Sequence, residues 1–79
     1  MYTRNKFLFK ENRKIDKTLA VMKRLAEKDN YFAIAIEQFN SARGEEKYNM
    51  CKYLLEIFDS TQDGVMNLET AVILSAYEL

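Results

Sequence analysis

The sequence predicts an all-α fold, a compact four-helix domain that is bundle-like and has short connections. Three observations carry this. Apolar residues recur at three- and four-residue spacing through most of the chain, which marks helices with one apolar face. There is no proline and there are only two glycines, Gly44 and Gly64, so the few breaks are informative. Seventy-nine residues make one domain, and the single cysteine with no histidine excludes both an intrachain disulfide and a zinc staple. A chain this short must then gain its stability from dense helix packing or from oligomerisation.

The elements follow in order. Residues 1–9 read as a flexible basic and aromatic arm, with Arg4 and Lys6 among Tyr2, Phe7 and Phe9. The first helix is expected from Lys10 to Lys28, because Ile15, Thr18, Leu19, Met22, Leu25 and Ala26 share one face. Asp29-Asn30 breaks the pattern. The second helix spans Tyr31–Ala42, with Tyr31, Phe32, Ala35, Ile36 and Phe39 facing inward, and Arg43-Gly44 ends it. Gly44 suits the left-handed cap position there.

The third helix runs from Glu45 to Phe58, its acidic first turn matching the positive end of the helix dipole. Its apolar residues, among them Tyr48, Cys51, Leu54 and Ile57, cover well over half of the circumference, which places it in the middle of the packing. Asn67 is a good N-cap for the last helix, Leu68–Glu78, which is apolar nearly all round.

The charges are sorted along the chain. Residues 1–28 hold nine basic side chains against three acidic ones, and residues 29–79 the reverse. Such an asymmetry points to a basic surface that meets something anionic. On a wheel of about 100° per residue, Lys10, Arg13, Lys14, Lys17, Arg24 and Lys28 fall within a sector of roughly 100°, with the apolar face roughly opposite. No acidic residue shares the sector, and Val21 is its one apolar member. Like charges four apart repel, each pair costing a few tenths of a kcal/mol. These six residues are the expected partner-binding surface.

Two partners suit it, an acidic protein surface or nucleic acid. An acidic protein would be steered electrostatically. Nucleic acid would be held through its phosphates, with the arm's aromatics stacking on unpaired bases. Lys outnumbers Arg eight to four, so bidentate base readout is not indicated. A third reading leaves the stripe solvated or facing the chain's own acidic residues.

The segment Phe58–Ala71 resembles the EF-hand calcium loop. Asp59 matches its first position, Asp63 the fifth, Gly64 the sixth, Met66 the eighth and Asn67 the ninth. The resemblance implies a helix–loop–helix. Two departures remove calcium ligands: Thr61 stands at the third position, and Thr70 at the twelfth, where a bidentate Glu belongs. No metal site is therefore expected, and a degenerate EF-hand-like module is the most distant of the functional readings.

The commonest general base, His, is absent, and Cys51 lies on an apolar face without a His partner. No phosphate-binding glycine motif appears. The expectation is thus a protein with no catalytic residues and no cofactor. Its last helix carries more apolar residues than a small domain covers, so Leu68, Val72, Ile73, Leu74 and Tyr77 are the candidates for a homodimer interface. The lone thiol suits a reducing setting, so a cytoplasmic location is expected; no apolar signal segment is visible and no run is long enough to cross a membrane. The functional expectation is a small non-catalytic regulator, inhibitor or adaptor that docks through its basic first helix. The alternative is a nucleic-acid-binding accessory protein using the same face.

Overall fold

A computed structural model describes residues 7–64 and 66–77. Among these the chain forms four helices and no strand: α1 (Phe9–Ala26), α2 (Asn30–Ser41), α3 (Gly44–Asp59) and α4 (Leu68–Tyr77). The thinnest dimension of the molecule is 21 Å, about two helix diameters. The all-α domain expected from the periodicity is present.

Each boundary has a local cause. At the start of α1 the Glu11 carboxylate accepts the Leu8 backbone N–H at 2.8 Å, one half of a capping box. The helix stops at Ala26, two residues earlier than expected. The N–H groups of Lys28 and Asp29 both turn back to the Leu25 carbonyl, and Asp29 then caps α2 by accepting the Tyr31 N–H at 3.0 Å. Asn67 caps α4 as anticipated, its Oδ1 accepting the Thr70 N–H at 2.8 Å.

Gly44 does adopt the left-handed region, at φ +59°, but not as the cap of α2. That helix ends at Ala42 in an extended conformation, and Gly44 instead turns the chain into α3. Residues 7–9 are not a free arm. The Phe7 ring stacks on Tyr48 at 5.1 Å, and Phe9 already opens α1. The rest of the expected arm lies outside the described residues.

The central helix is α1, not α3. It packs against all three other helices, while α3 packs on α1 and α4, and the backbones of α2 and α3 stay largely apart. Length and sorting explain the correction. At 18 residues α1 is the longest helix, and its buried Ile15, Thr18, Val21 and Met22 form one continuous strip. The apolar circumference of α3 is not all used: Cys51, Leu54 and Ile57 enter the core, while Tyr53 stays half-exposed. Phe32 and Phe39 of α2, with Ala71 and Val72 of α4, complete the core. Tyr31, expected on the inner face of α2, is also half-exposed.

Among the described residues two polar side chains are buried. Thr18 is fully enclosed, and its hydroxyl donates to the Lys14 carbonyl at 3.0 Å and lies 3.5 Å from that of Leu54. Lys47 is buried on α3, where its ammonium donates to the Phe39 carbonyl and sits 4.0 Å from the centre of the Phe39 ring. This joins the end of α2 to the start of α3 by a charge-assisted hydrogen bond and a cation–π contact.

Candidate interaction surfaces

The basic stripe occupies one flank of α1. Lys10, Arg13, Lys17, Arg24 and Lys28 are exposed. Lys14 is half-buried, pairs with Asp59 at 3.3 Å and lies 5.8 Å from the Phe58 ring. The buried strip of α1 is adjacent to the stripe rather than opposite to it. Val21, near one edge of the basic sector, is itself part of the core. The cause is that α1 is covered on two sides, by α2 and by α3, which extends its buried arc to the edge of the cations. Lys28, counted with the helix on spacing, follows its C-terminal end.

Leu8, the N-cap of α1, and Phe9, its first residue, directly precede this flank in sequence and are 70% and 76% exposed. The Arg13 guanidinium lies 5.9 Å from the centre of the Phe9 ring. Spacing alone did not single out this apolar tip as a surface feature. Two large apolar residues just ahead of a cation run are the signal that was there to read.

The five residues expected to form an interface on α4 do not share a surface. Val72 is 1% exposed and belongs to the core. Leu68 and Ile73 pack partly against that core, whereas Leu74 is 42% and Tyr77 65% exposed. A helix that is apolar all round gives no direction from sequence; packing on α1 and α3 supplies it. The Tyr77 hydroxyl donates to Asp29 at 2.7 Å, and its ring faces Tyr31 at 6.5 Å. That hydrogen bond, together with the Tyr31 N–H, holds the Asp29 carboxyl below its ordinary value of 3.8. The same hydrogen bond and the nearby negative charge push the Tyr77 phenol above its ordinary 10.0.

A second surface was not legible in the sequence. Because α2 and α3 stand apart, a groove of about 680 Å³ opens between them. Leu19 and Met22 of α1 line it with Phe39, Met50, Leu54 and Ile57. Gln38, Glu45, Glu46 and Asn49 supply its polar edge beside the short connection between α2 and α3. Among the described residues no cation lines the groove. Arg43, exposed at the N-cap of α3, is close in sequence but lies outside the lining.

The loop between α3 and α4 is organised by its own hydrogen bonds. Asp59 pairs with Lys14, the Thr61 hydroxyl donates to the Phe58 carbonyl at 2.7 Å, and Asn67 caps α4. Two positions that match the calcium loop, Asp59 and Asn67, and the departing Thr61 are thus engaged within the chain. Among the described residues no group of three or more His, Cys, Asp or Glu is placed to hold a metal ion. No helix is long and apolar enough to cross a membrane among the same residues. Cys51 is fully buried. Comparison with family models, curated proteins and solved structures finds no match for this chain.

Proposed function

We propose that this is a small non-catalytic binding protein that docks on an acidic protein surface through the exposed cations of α1. The observation that carries the reading is the state of the stripe. Five of its six cations face solvent, and Lys14 alone has an ion pair with a carboxylate of the chain among the described residues. A helix keeps unrelieved like charges on one side at a small cost each, and an anionic partner relieves all of them together. Such a partner would be steered by long-range attraction and bound in a salt-sensitive way.

The acidic protein is favoured over nucleic acid by what happens to the aromatics. Stacking on unpaired bases needs rings with a free face. Phe7 already stacks on Tyr48, so among the described residues the expected arm offers only the exposed Phe9 ring, a small platform for bases. A regulatory or adaptor role and a cytoplasmic setting go with this reading. Full burial of Cys51 supports the non-catalytic part, since an enclosed thiol cannot reach a substrate.

The test is parallel capture from nuclease-treated lysate by the wild type and by Lys17→Glu/Arg24→Glu. Those two cations are chosen because both are exposed and neither is Lys14. An acidic protein retained by the wild type, released by moderate salt and lost in the variant is expected. Retention that depends on intact RNA or DNA would move the reading to nucleic acid. Equal capture by both proteins would overturn it.

A further inference from the structure

We propose that the chain self-associates head to tail, the Leu8–Phe9 tip of one copy entering the groove between α2 and α3 of the next. The two surfaces match in kind. The tip is a pair of exposed large apolar side chains with cations beside them: Lys10 follows directly, and Arg13 lies against the Phe9 ring. The groove is an apolar trough whose polar edge carries two exposed carboxylates, Glu45 and Glu46, and no cation among the described residues. An aromatic side chain fills the trough, and Lys10 and Arg13 reach the carboxylates at its edge. Met22 and Met50 line the groove, and methionine adapts its shape to an incoming ring more readily than branched side chains do.

A molecule cannot satisfy its own groove. Phe7, next to the tip, stacks on Tyr48. On α3 at about 100° per residue, Tyr48 points roughly 140° away from Tyr53 and roughly 180° away from Ile57, both of which line the groove. Tip and groove therefore lie on opposite flanks of α3, and their union needs a second copy. The contact is heterologous, joining different patches on the two partners, so it propagates into a ring or an open chain rather than closing a two-fold dimer. It uses only the N-terminal end of the basic flank and does not depend on the docking role proposed for Lys17 and Arg24.

Sedimentation velocity from micromolar to millimolar concentration tests the inference, with two variants. Phe9→Ser removes the ring and leaves every cation of α1 in place. Glu45→Lys/Glu46→Lys reverses the edge of the groove. The wild type is expected to gain mass with concentration, and each variant alone to associate at least tenfold more weakly. An equimolar mixture of the two is expected to form a one-to-one dimer and nothing larger, because the mixture offers one intact tip and one intact groove per pair. The mixture also verifies that both variants are folded. A wild type that stays monomeric throughout overturns the inference. So does association that survives both variants, or that is lost instead in Leu74→Glu, which would place the contact on α4. Phe9→Ser still captures an acidic partner if the docking role holds, so the two proposals fail separately.

Discussion

Along α1 polarity is sorted around the helix. Ile15, Thr18 and Met22 face the core, and Arg13, Lys17 and Arg24 face water. Along α4 it is not sorted: Val72 is enclosed while Leu74, of similar character, is 42% exposed. The difference shows where directional information resides. In α1 cations and apolar residues alternate around the helix in most turns, Leu19–Met22 being the exception, which favours one rotation. In α4 the side chains permit several rotations. What selects one is the shape of the surface offered by α1 and α3, together with the end contacts at Asn67 and Tyr77. Rotation of α4 is thus a tertiary property.

The largest effect that separates the two helices is expected from truncation. Ile15→Ala removes a side chain with no exposure from the centre of α1, and such deletions cost about 2–5 kcal/mol. That is a large part of the roughly 5–15 kcal/mol typical of a domain. Leu74→Ala should cost no more than about 1.5 kcal/mol, because much of that side chain never leaves water. Urea unfolding of both variants measures the ratio. Equal losses would mean that α4 is held as tightly as α1 and that the contrast is wrong.

The cap of α4 comes next. With no strongly sorted face to fix it, α4 depends on its N-terminus. Asn67→Ala leaves the Thr70 N–H without its side-chain acceptor and should cost about 1 kcal/mol. Amide hydrogen exchange should rise first within Leu68–Tyr77 and leave α1 protected. Exchange that rises uniformly would show that α4 unfolds only with the whole domain.

The legible and illegible parts divide along the same line. Helix spans, the Asn67 cap, the acidic first turn of α3 and the basic flank were all readable, because each rests on spacing or on residues within one turn. The central position of α1 was not readable from composition. The aromatic-rich α3 has more apolar surface, but Tyr48 and Tyr53 cover grooves and edges rather than the middle. Burial of Lys47 was hidden as well, since its partner carbonyl and ring belong to Phe39 on the preceding helix. The groove exists because two sequential helices stay apart, and no local pattern encodes a separation.

A smaller effect sharpens the account of α1. The Thr18 hydroxyl is enclosed, donates to the Lys14 carbonyl of its own helix and lies near that of Leu54. Thr18→Val keeps the shape and removes the donor. The expected loss is about 0.5–1.5 kcal/mol, the net value of one hydrogen bond. Thermal unfolding should show it with no change in helicity. A stabilised variant would mean that the hydroxyl is tolerated at this position rather than used.

The smallest effect concerns the C-terminal end of α4, where Tyr77 donates to Asp29 at 2.7 Å. Tyr77→Phe removes this bond and leaves the ring beside Tyr31. Because both groups are open to solvent, the loss should be slight, and its pH dependence is the diagnostic. The Asp29 carboxyl is held below 3.8, chiefly by Tyr77, so its contribution is present above that value and is lost as pH falls through the lowered one. The Tyr77 phenol is raised above 10.0, chiefly by the hydrogen bond to Asp29, so its contribution is complete below 10.0 and is lost as pH rises through the raised value. The difference in melting temperature between wild type and Tyr77→Phe should therefore be level through the neutral range. It should shrink toward zero at the acidic end below 3.8 and again at the alkaline end above 10.0. A difference that stays constant into acid would separate Tyr77 from Asp29 and leave the end of α4 held by ring contact alone.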